Sequence, residues 1–293
     1  MNIEIITIHN GRLDKLIAEN SNLSRENISK LINNKKCIVN GNIAKKKSQI
    51  IDADTKIILE LPTIKNKKTK IIIDYLYVDK DILIINKQKN VITHGLNKNH
   101  LGTINGSILQ DYPEMLNVGD LERPGVVHRL DKGTSGLMVF SRNQKSYEKL
   151  KEMILNKEIS RNYIALIHGT PIRNEAIINA PIARDPKSPL KRKVLSGGKE
   201  SKTLYKIIKK FPNYTLIDVK LYTGRTHQIR VHLEELGHPI VGDNVYSKKK
   251  SSLDRPFLHS ANLEFMHPIK NKKIKFSSEL PDDLKDYLEK INK

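Results

Sequence analysis

The sequence predicts an α+β protein in which a small N-terminal module precedes a larger, strand-rich domain. Two short stretches with apolar side chains at helical spacing, and an Asn-Gly pair between apolar runs, lie within residues 1–62. Beyond residue 70, apolar runs of strand length predominate, with helical patterns scattered between them. The charged segment 63–70 has no apolar periodicity, as is typical of a linker. We therefore expect domains at residues 1–62 and 71–293.

The second global observation is a large excess of positive charge. The 293 residues include 52 Lys and Arg against 32 Asp and Glu, a net charge of +20. Such an excess favours nucleic acid or another polyanion as partner, because basic side chains release counterions from phosphates. Compositional drift toward lysine is the alternative, but it does not readily explain arginines clustered near motif-like segments.

Composition also bounds the cellular location. No apolar stretch reaches the roughly 18 residues of a membrane span, and the N-terminus lacks the pattern of a signal peptide. The single cysteine, Cys37, excludes a disulfide framework and an all-cysteine metal site within one chain. We expect a cytoplasmic protein with no membrane partner.

Two helices and a hairpin account for the N-terminal module. Apolar side chains recur at helical spacing in residues 12–17 and 24–32, and Ser24 is suited to cap the second helix. Asn40-Gly41 separates two short apolar runs, and both residues tolerate the positive φ of a hairpin turn. A further strand is expected at residues 56–61.

Two short helices followed by a basic hairpin resemble the S4 RNA-binding fold. The segments that carry the resemblance are Arg12-Leu13-Asp14, Ser24-Arg25, Leu31-Ile32 and Val39-Asn40-Gly41. Arg25 and Lys30, together with Lys35 and Lys36, could line one surface and contact phosphates. A solvated basic face is the alternative.

The elements of the larger domain follow from the same patterns. Residues 137–140 suffice for one buried strand, and residues 214–222 alternate as a half-buried strand does. Tyr147, Leu150 and Ile154 lie on one face of a helix that reaches about residue 157. Further strands are expected at 71–77, 82–85 and 159–167, and a further helix from Thr226 to Leu236.

A basic stretch between turn residues spans positions 184–199. It contains Arg184, Lys187, Lys191, Arg192, Lys193 and Lys199. A structureless loop of this length in a compact domain more often indicates function or disorder. We interpret it as an RNA-gripping loop, with plain mobile surface as the alternative.

The most chemically dense segment is His128 to Gly136, which contains an imidazole, a carboxylate, two basic side chains, two hydroxyls and two glycines. Gly133 and Gly136 permit a sharply turned loop ahead of a rigid strand, where catalytic groups are commonly presented. Asp131 is therefore the leading candidate. On its own, an Asp in a polar loop is more often a turn former or a helix cap.

Tyr163 and Arg225 are the companions of Asp131 in this interpretation. A carboxylate is ordinarily charged at neutral pH and can act as nucleophile or base without a cofactor. Arg225, at a strand-to-helix junction, could keep it charged and oriented. Tyr163, on a predicted central strand, could stack on a base and handle a proton.

Other chemistries find little support in the sequence. It has no zinc-ligand spacing, no phosphate-binding glycine loop and no G-x-S-x-G serine. A carboxylate glycoside hydrolase is a further alternative, but the usual second acid has no obvious counterpart.

Several motifs, in the same order, resemble those of the RluA-type pseudouridine synthases over residues 72–293. His128 to Gly136 matches the signature H-R-L-D-x-x-T-S-G at every specified position. The first motif matches only in part, because Gln88 replaces the usual Pro and Asn90 lies near the usual Gly. This departure leaves the geometry of that loop open. The other matching segments are Asn86-Lys87, Thr93-His94-Gly95, Tyr163-Ile164-Ala165 with Gly169, Leu221 to His232, and Gly237 to Asp243.

This resemblance implies a mixed, mainly antiparallel catalytic sheet and cofactor-independent isomerisation of uridine to pseudouridine after base flipping. Asp131 is then the aspartate that attacks the target uridine, Tyr163 stacks on the uracil, and Arg225 pairs with Asp131. Arg129 is expected to enter the helix space that the flipped base leaves. His128, Thr134 and Ser135 are expected to shape the loop and not to take part in the chemistry. Candidates for RNA contact are Arg129, His128, Thr134, Arg25, Lys30, Arg192, His227 and Arg230.

With an S4-like module in front, the resemblance further implies large-subunit ribosomal RNA as the partner of a monomeric enzyme without metal or cofactor. Two alternatives stay open. One is the same chemistry at another ribosomal site or on transfer RNA. The other is a non-catalytic RNA-binding or ribosome-assembly factor that kept the fold, against which the intact Asp131, Tyr163 and Arg225 argue.

Overall fold

The computed structural model describes residues 2–21, 23–61, 70–95 and 102–292. Most of the predicted linker, residues 63–69, lies outside these ranges. No helix within them is long and apolar enough to cross a membrane.

The N-terminal part has its own sheet and its own apolar core. Strands β1, β6, β3 and β4 pair in that order as an antiparallel sheet, and β2 pairs with β5. The elements are β1 (Asn2–Ile6), β2 (Gly11–Arg12), α1 (Leu13–Glu19), α2 (Arg25–Asn33), β3 (Cys37–Val39), β4 (Asn42–Ile43), β5 (Ile50–Ile51) and β6 (Lys56–Glu60).

The helices and the hairpin predicted for this part are present. The Ser24 side chain accepts a hydrogen bond from the backbone N–H of Asn27 at 3.2 Å and so caps α2. Asn40 and Gly41 have φ of 46° and 81° in the hairpin turn. The apolar faces of both helices are buried, through Leu13, Leu16, Ile17, Ile28, Leu31 and Ile32.

A short segment of the larger part packs on this N-terminal core. Leu121 is buried in the same apolar cluster as α1 and α2. The Asn27 side-chain amide donates to the Gly119 carbonyl, and Lys30 Nζ lies 3.3 Å from Asp120 Oδ1. These contacts seat the N-terminal part against the chain that leads into the Asp131 loop.

The larger part is built on a nine-stranded mixed sheet. The strand order is β11-β14-β15-β10-β16-β9-β8-β7, with β17 paired to β16. Among its described strands only β9 and β16 run parallel, so the mainly antiparallel sheet is confirmed. The strands are β7 (Asp74–Val78), β8 (Ile82–Lys87), β9 (Ser135–Ser141), β10 (Ser160–His168), β11 (Glu175–Asn179), β14 (Lys202–Lys210), β15 (Tyr214–Leu221), β16 (Leu258–Met266) and β17 (Lys273–Ser277).

Helices cover this sheet, and a separate hairpin extends from it. Strand β15 alternates buried and half-buried residues as predicted, and β9 is buried throughout. The first predicted strand begins only at Asp74, not at residue 71. The remaining elements are α3 (Ile104–Asp111), a 3-10 turn (Pro113–Asn117), α4 (Gln144–Leu155), β12 (Ile182–Asp185), β13 (Ser188–Val194), α5 (Gln228–Glu235) and α6 (Asp282–Ile291).

The basic stretch 184–199 was wrongly expected to lack structure. Strands β12 and β13 form an antiparallel hairpin in which Arg184 lies opposite Arg192. No position of β13 is fully buried. A strand without a buried face carries no apolar alternation, which explains why the pattern did not indicate it.

The helix predicted to start at Thr226 begins instead at Gln228. His227 takes a left-handed conformation, with φ of 59°, immediately before it. The Gln228 side-chain oxygen accepts the backbone N–H of Arg225 at 3.0 Å, and the Thr226 side chain caps nothing. Two residues, Thr226 and the left-handed His227, therefore separate Arg225 from the helix.

Gly136 lies where the Asp131 loop enters β9 and where β9 and β16 begin to pair. Its φ is 111°, and a Cβ at this position would collide with the carbonyl oxygen of Ser260. We expect Gly136→Ala to lower the free energy of unfolding by about 3 kcal/mol or more. Gly41→Ala, with positive φ but open space around its Cβ, should lose only about 1 kcal/mol. Chemical denaturation measures both losses. Equal losses of unfolding free energy in the two variants would mean that the cost comes from the positive φ alone and not from the close approach of β16.

Candidate active site

Asp131, Tyr163 and Arg225 line one pocket. Asp131 stands on the loop before β9, Tyr163 on β10, and Arg225 on the turn between β15 and α5. The Asp131 side chain is 17% exposed, so it is partly shielded but reachable. The other residues around the pocket are Arg129, Leu130, Thr134, Leu221, His227, Gln228, Ile229, Arg230 and Leu258.

The guanidinium that pairs with Asp131 belongs to Arg230. Its Nη1 donates to Asp131 Oδ2 at 3.1 Å. Its other nitrogens donate to both carboxylate oxygens of Asp243, at 2.7 and 2.9 Å. Burial works against the charge on Arg230, but the hydrogen bonds and charge of Asp243, followed by those of Asp131, raise its pKa above the ordinary value. Arg230 therefore stays cationic and holds one oxygen of Asp131 in place.

The expected pairing of Arg225 with Asp131 is wrong. Arg225 Nε donates instead to the carbonyl of Glu200 at 3.0 Å. The left-handed turn at His227 lies between the two arginines. Arg225 precedes the turn and contacts Glu200, whereas Arg230 follows it as a buried residue of α5 and contacts Asp131. The position of Arg230 among the apolar residues of that helix was the available sequence signal. Whether Arg225 has a catalytic role stays a prediction.

Tyr163 is 4% exposed and lies between β15 and β16, opposite Val219 and Ser260. Burial raises the pKa of its hydroxyl, against the weaker lowering effect of Arg161. The phenol is therefore neutral at physiological pH. Tyr163 therefore lines the pocket as a neutral aromatic side chain, the kind of group on which a base can stack.

Three comparisons with known proteins identify the family of this chain. Residues 81–235, over half of the chain, match the family described as RNA pseudouridylate synthase. The chain belongs to this family. The synthase is therefore an isomerase that forms pseudouridine in RNA.

Relatives extend the match beyond the family segment. The uncharacterized RNA pseudouridine synthase YlyB of Bacillus subtilis (strain 168) is 32% identical over 286 residues, 96% of this chain and 94% of the relative. Ribosomal large subunit pseudouridine synthase D of Buchnera aphidicola subsp. Schizaphis graminum is 37% identical over 257 residues, 83% and 78% of the two chains. The solved structure of Human RNA Pseudouridylate Synthase Domain Containing 4 shares the fold, with a TM-score of 0.59 and 23% identity over 75% of this chain and 93% of that one.

The hydrogen bonds of Tyr246 favour one proton position on His227 in the synthase. The Tyr246 oxygen accepts the backbone N–H of Arg192 at 2.9 Å and lies 2.8 Å from His227 Nδ1, which favours donation of its own hydrogen to Nδ1. Nδ1 is then the acceptor and Nε2 carries the proton. Nε2 lies 3.9 Å from Asp131 Oδ1. Burial lowers the pKa of His227, so a neutral imidazole presents an N–H to the Asp131 side of the pocket.

We expect Tyr246→Phe to reduce kcat/KM by about fivefold, the effect of one lost hydrogen bond of about 1 kcal/mol. In the parent, His227 has a pKa below that of an ordinary imidazole, so it stays neutral at the pH where a free histidine would gain a proton. Activity should therefore decline only at a pH below the ordinary imidazole pKa. In the variant the Nδ1–H tautomer also becomes accessible. The ¹⁵N shifts of His227 report this directly. Tyr205→Phe, which loses a hydroxyl bond to the Arg173 carbonyl, is the control and should alter neither readout.

Two buried basic residues that the sequence analysis did not propose as site residues anchor the Asp131 loop. Lys87 is fully buried and donates to the carbonyls of Gln88, Val91 and Lys132, at 3.0, 2.8 and 3.4 Å. Burial lowers the pKa of Lys87 to about 7. A lysine ending an apolar strand was the signal that could have indicated it.

Arg255 is the second anchor. It donates to the Gly133 carbonyl at 3.3 Å and to Ser135 Oγ at 3.0 Å. Its remaining nitrogens pair with both oxygens of Asp283 on α6, each at 2.8 Å. The C-terminal helix therefore supports the loop that carries the carboxylate.

The remaining loop residues make local contacts. His128 Nε2 accepts the Val139 N–H at 3.1 Å, and burial lowers its pKa to about 3. Thr134 is buried, with its backbone N–H donating to the Asp131 carbonyl at 3.1 Å. Ser135 Oγ lies 2.9 Å from His259 Nδ1. Arg129 is exposed beside the pocket.

The first-motif loop compensates for one of its departures. Asn90 takes a left-handed φ of 63°, which asparagine tolerates better than most residues and glycine supplies freely. The Gln88 side chain donates to the Ile72 carbonyl at 3.3 Å.

The N-terminal candidates for RNA contact are engaged within the protein. Arg25 Nη2 lies 2.7 Å from Asp14 Oδ2. Lys30 pairs with both Glu26 and Asp120. Arg192, in contrast, lies on the basic hairpin. Its backbone N–H donates to the Tyr246 hydroxyl, and Tyr246 also contacts the pocket residues His227 and Arg230.

Proposed function

We propose that this synthase converts specific uridines of large-subunit ribosomal RNA to pseudouridine, with Asp131 as the attacking group and no metal or cofactor. The observation that carries the proposal is the Asp131 carboxylate, held by Arg230 in one pocket with Tyr163. Relatives named ribosomal large subunit pseudouridine synthase D, 32–40% identical over 75–95% of this chain, support the choice of RNA. We expect the enzyme to act in the cytoplasm as a monomer.

The chemistry is balanced without a co-reactant. A carboxylate oxygen of Asp131 bonds to C1′ of the uridine while the N1–C1′ bond breaks. The detached uracil turns, and C5 bonds to C1′ while the bond between Asp131 and C1′ breaks, which frees the carboxylate. The C5 proton then leaves and N1 gains a proton. The product is an isomer of the substrate, so the protein has only to hold, shield and transfer protons.

The surrounding residues suit these steps. Arg230 fixes one oxygen of Asp131 and leaves the other toward the pocket. The aromatic face of Tyr163 can stack on a flipped uracil. The exposed Arg129 at the pocket is available to fill the helix position that the base vacates, as the resemblance implies. The neutral N–H of His227 is available to the uracil carbonyls.

The experiment is pseudouridine mapping of ribosomal and transfer RNA from cells with and without this gene, complemented by the wild-type gene. The proposal requires large-subunit signals that vanish and return. Loss of pseudouridine only in transfer RNA or in small-subunit RNA would mean that this RNA, and not the large-subunit RNA, is the substrate. Unchanged modification everywhere would favour a non-catalytic assembly factor.

We extend the proposal to residues 1–62 as an S4-like RNA-binding module. Lys45, Lys46 and Lys47 are exposed and have no ion pair with any residue in the described ranges. Replacing all three by Gln should weaken RNA binding and lower the slope of log K against log salt by up to about 2. The matched control replaces the three lysines of α4, a helix that contributes nothing to the pocket: Lys145, Lys149 and Lys151. Equal slopes in both variants would count against the module.

A further inference from the structure

Arg161 is a buried arginine without a protein partner. It lies on β10 and is only 6% exposed. Its Nε is buried with no acceptor, and the guanidinium makes no hydrogen bond or ion pair with any residue that the structure describes. Arginines are rarely buried unless paired, because desolvating the charge is costly. The fold therefore holds a cation that its own atoms do not compensate.

Two other buried basic residues of the synthase show the contrast. Lys87 donates to three carbonyls, and Arg255 pairs with Asp283 and two groups of the Asp131 loop. Both have the contacts of an anchor. Arg161 has none of them, so a purely structural role does not account for its burial.

The position of Arg161 places its charge at the edge of the active-site pocket. It lies two residues before Tyr163 on the same buried face of β10. Its positive charge acts on the hydroxyl of Tyr163 and on the imidazole of His128. The guanidinium lies close to Gly224. The next residue, Arg225, lines the pocket.

Gly224 keeps the approach to this guanidinium open. A Cβ at residue 224 would lie 3.0 Å from Arg161 Nη1 and 3.7 Å from Nη2. A side chain there would therefore cover the terminal nitrogens. Gly224 needs no positive φ, so backbone conformation does not explain why glycine stands at this position.

We propose that Arg161 binds a phosphodiester group of the RNA substrate, flanking the target uridine, through the opening above Gly224. The inference rests on the proposed function, because it assumes that RNA occupies the Asp131 pocket. A phosphate suits the site because an uncompensated buried charge requires an anion, and the uracil itself is neutral. The planar guanidinium can meet two phosphate oxygens at once.

Arg161→Met tests this by removing the charge while keeping an apolar chain of similar length. The midpoint of thermal unfolding should be unchanged or higher, since an unpaired buried charge is lost. The Kd for a substrate RNA, an oligonucleotide around a mapped site, should rise about tenfold, with a salt slope smaller by about 0.7. A lower unfolding midpoint with unchanged RNA affinity and slope would overturn the proposal and assign Arg161 a structural role.

Gly224→Ala is the companion variant, because it obstructs the guanidinium and leaves the charge in place. It should weaken RNA binding in the same direction, and Arg161→Lys should restore part of the affinity lost in Arg161→Met. Full affinity in Gly224→Ala would contradict the proposed route. The Gly224→Ala readout holds even if Arg161→Met fails to fold.

Methylphosphonate substitution identifies the ligand. Oligonucleotides with one neutral linkage, 5′ or 3′ of the target uridine, should bind the wild type about tenfold more weakly at one of the two positions. Arg161→Met should show no further loss at that position. Loss of equal size in both proteins would overturn the assignment. If mapping identifies a different RNA, that RNA supplies the oligonucleotide, so failure of the ribosomal assignment and failure of the phosphate site remain distinguishable.

Discussion

Asp131→Asn is expected to abolish pseudouridine formation, with a loss of at least about 10⁴-fold in kcat, while the protein folds and binds RNA. The amide has the shape of the carboxylate and can still accept the 3.1 Å hydrogen bond from Arg230, but it lacks the charge and nucleophilicity needed to bond to the uridine. Arg230 keeps Asp243 as its partner. Single-turnover conversion of a substrate oligonucleotide measures the loss.

Asp218→Asn serves as the matched control, since Asp218 accepts a hydrogen bond from Asn162 on neighbouring strands and lines no part of the pocket. It should retain the parental rate. RNA affinity and thermal unfolding of Asp131→Asn should match the wild type. Retained modification by Asp131→Asn would remove Asp131 from its role, whatever its effect on binding.

Local sequence patterns predicted the elements whose burial is periodic. The apolar faces of α1 and α2 and the alternation of β15 are of this kind, because each buries one defined side. Strand β14 and helix α6 were not predicted. Lysines occupy much of β14, and α6 buries only Leu284 and Tyr287. A partly exposed element leaves too few apolar positions for its period to stand out.

The sequence likewise predicted one part of the site and missed another. Asp131 could be found because its neighbours form a contiguous, chemically dense segment. The choice between Arg225 and Arg230 could not, since the left-handed turn at His227 lies between them and decides which guanidinium reaches the loop. Local spacing does not encode that turn, because no Gly or Asn marks it.

Contacts between distant segments were also beyond the sequence. Arg255 is 120 residues from Ser135, and Tyr246 is 54 residues from Arg192. Such pairs form only once the sheet order brings their strands and loops together. The unpaired state of Arg161 is equally a tertiary property, since an arginine two residues before a buried tyrosine predicts neither its burial nor its lack of a partner.

Arg230→Met is expected to lower kcat by about 10²–10³-fold, the effect of removing a preorganised charged donor, and to lower the free energy of unfolding by about 3–5 kcal/mol. Both effects arise because Arg230 neutralises Asp243, which is fully buried, and orients Asp131. Without Arg230, the carboxylates of Asp131 and Asp243 would have no positive charge between them. Protonation would remove the buried negative charge that Arg230 no longer neutralises, so the stability deficit should shrink as pH falls.

Arg225→Met separates this role from the one expected of the neighbouring arginine. Within the described residues, the Arg225 side chain donates only to a backbone carbonyl, so its loss should leave stability within about 1 kcal/mol of the wild type and should not introduce the pH-dependent deficit. Unfolding at several pH values, with single-turnover rates, distinguishes the two variants. If Arg225→Met reproduced both the kinetic loss and the pH-dependent stability deficit, the pairing of Arg230 with Asp131 would not be the one that sustains catalysis. A kinetic loss in Arg225→Met without that deficit would instead assign Arg225 to substrate contact at the pocket it lines.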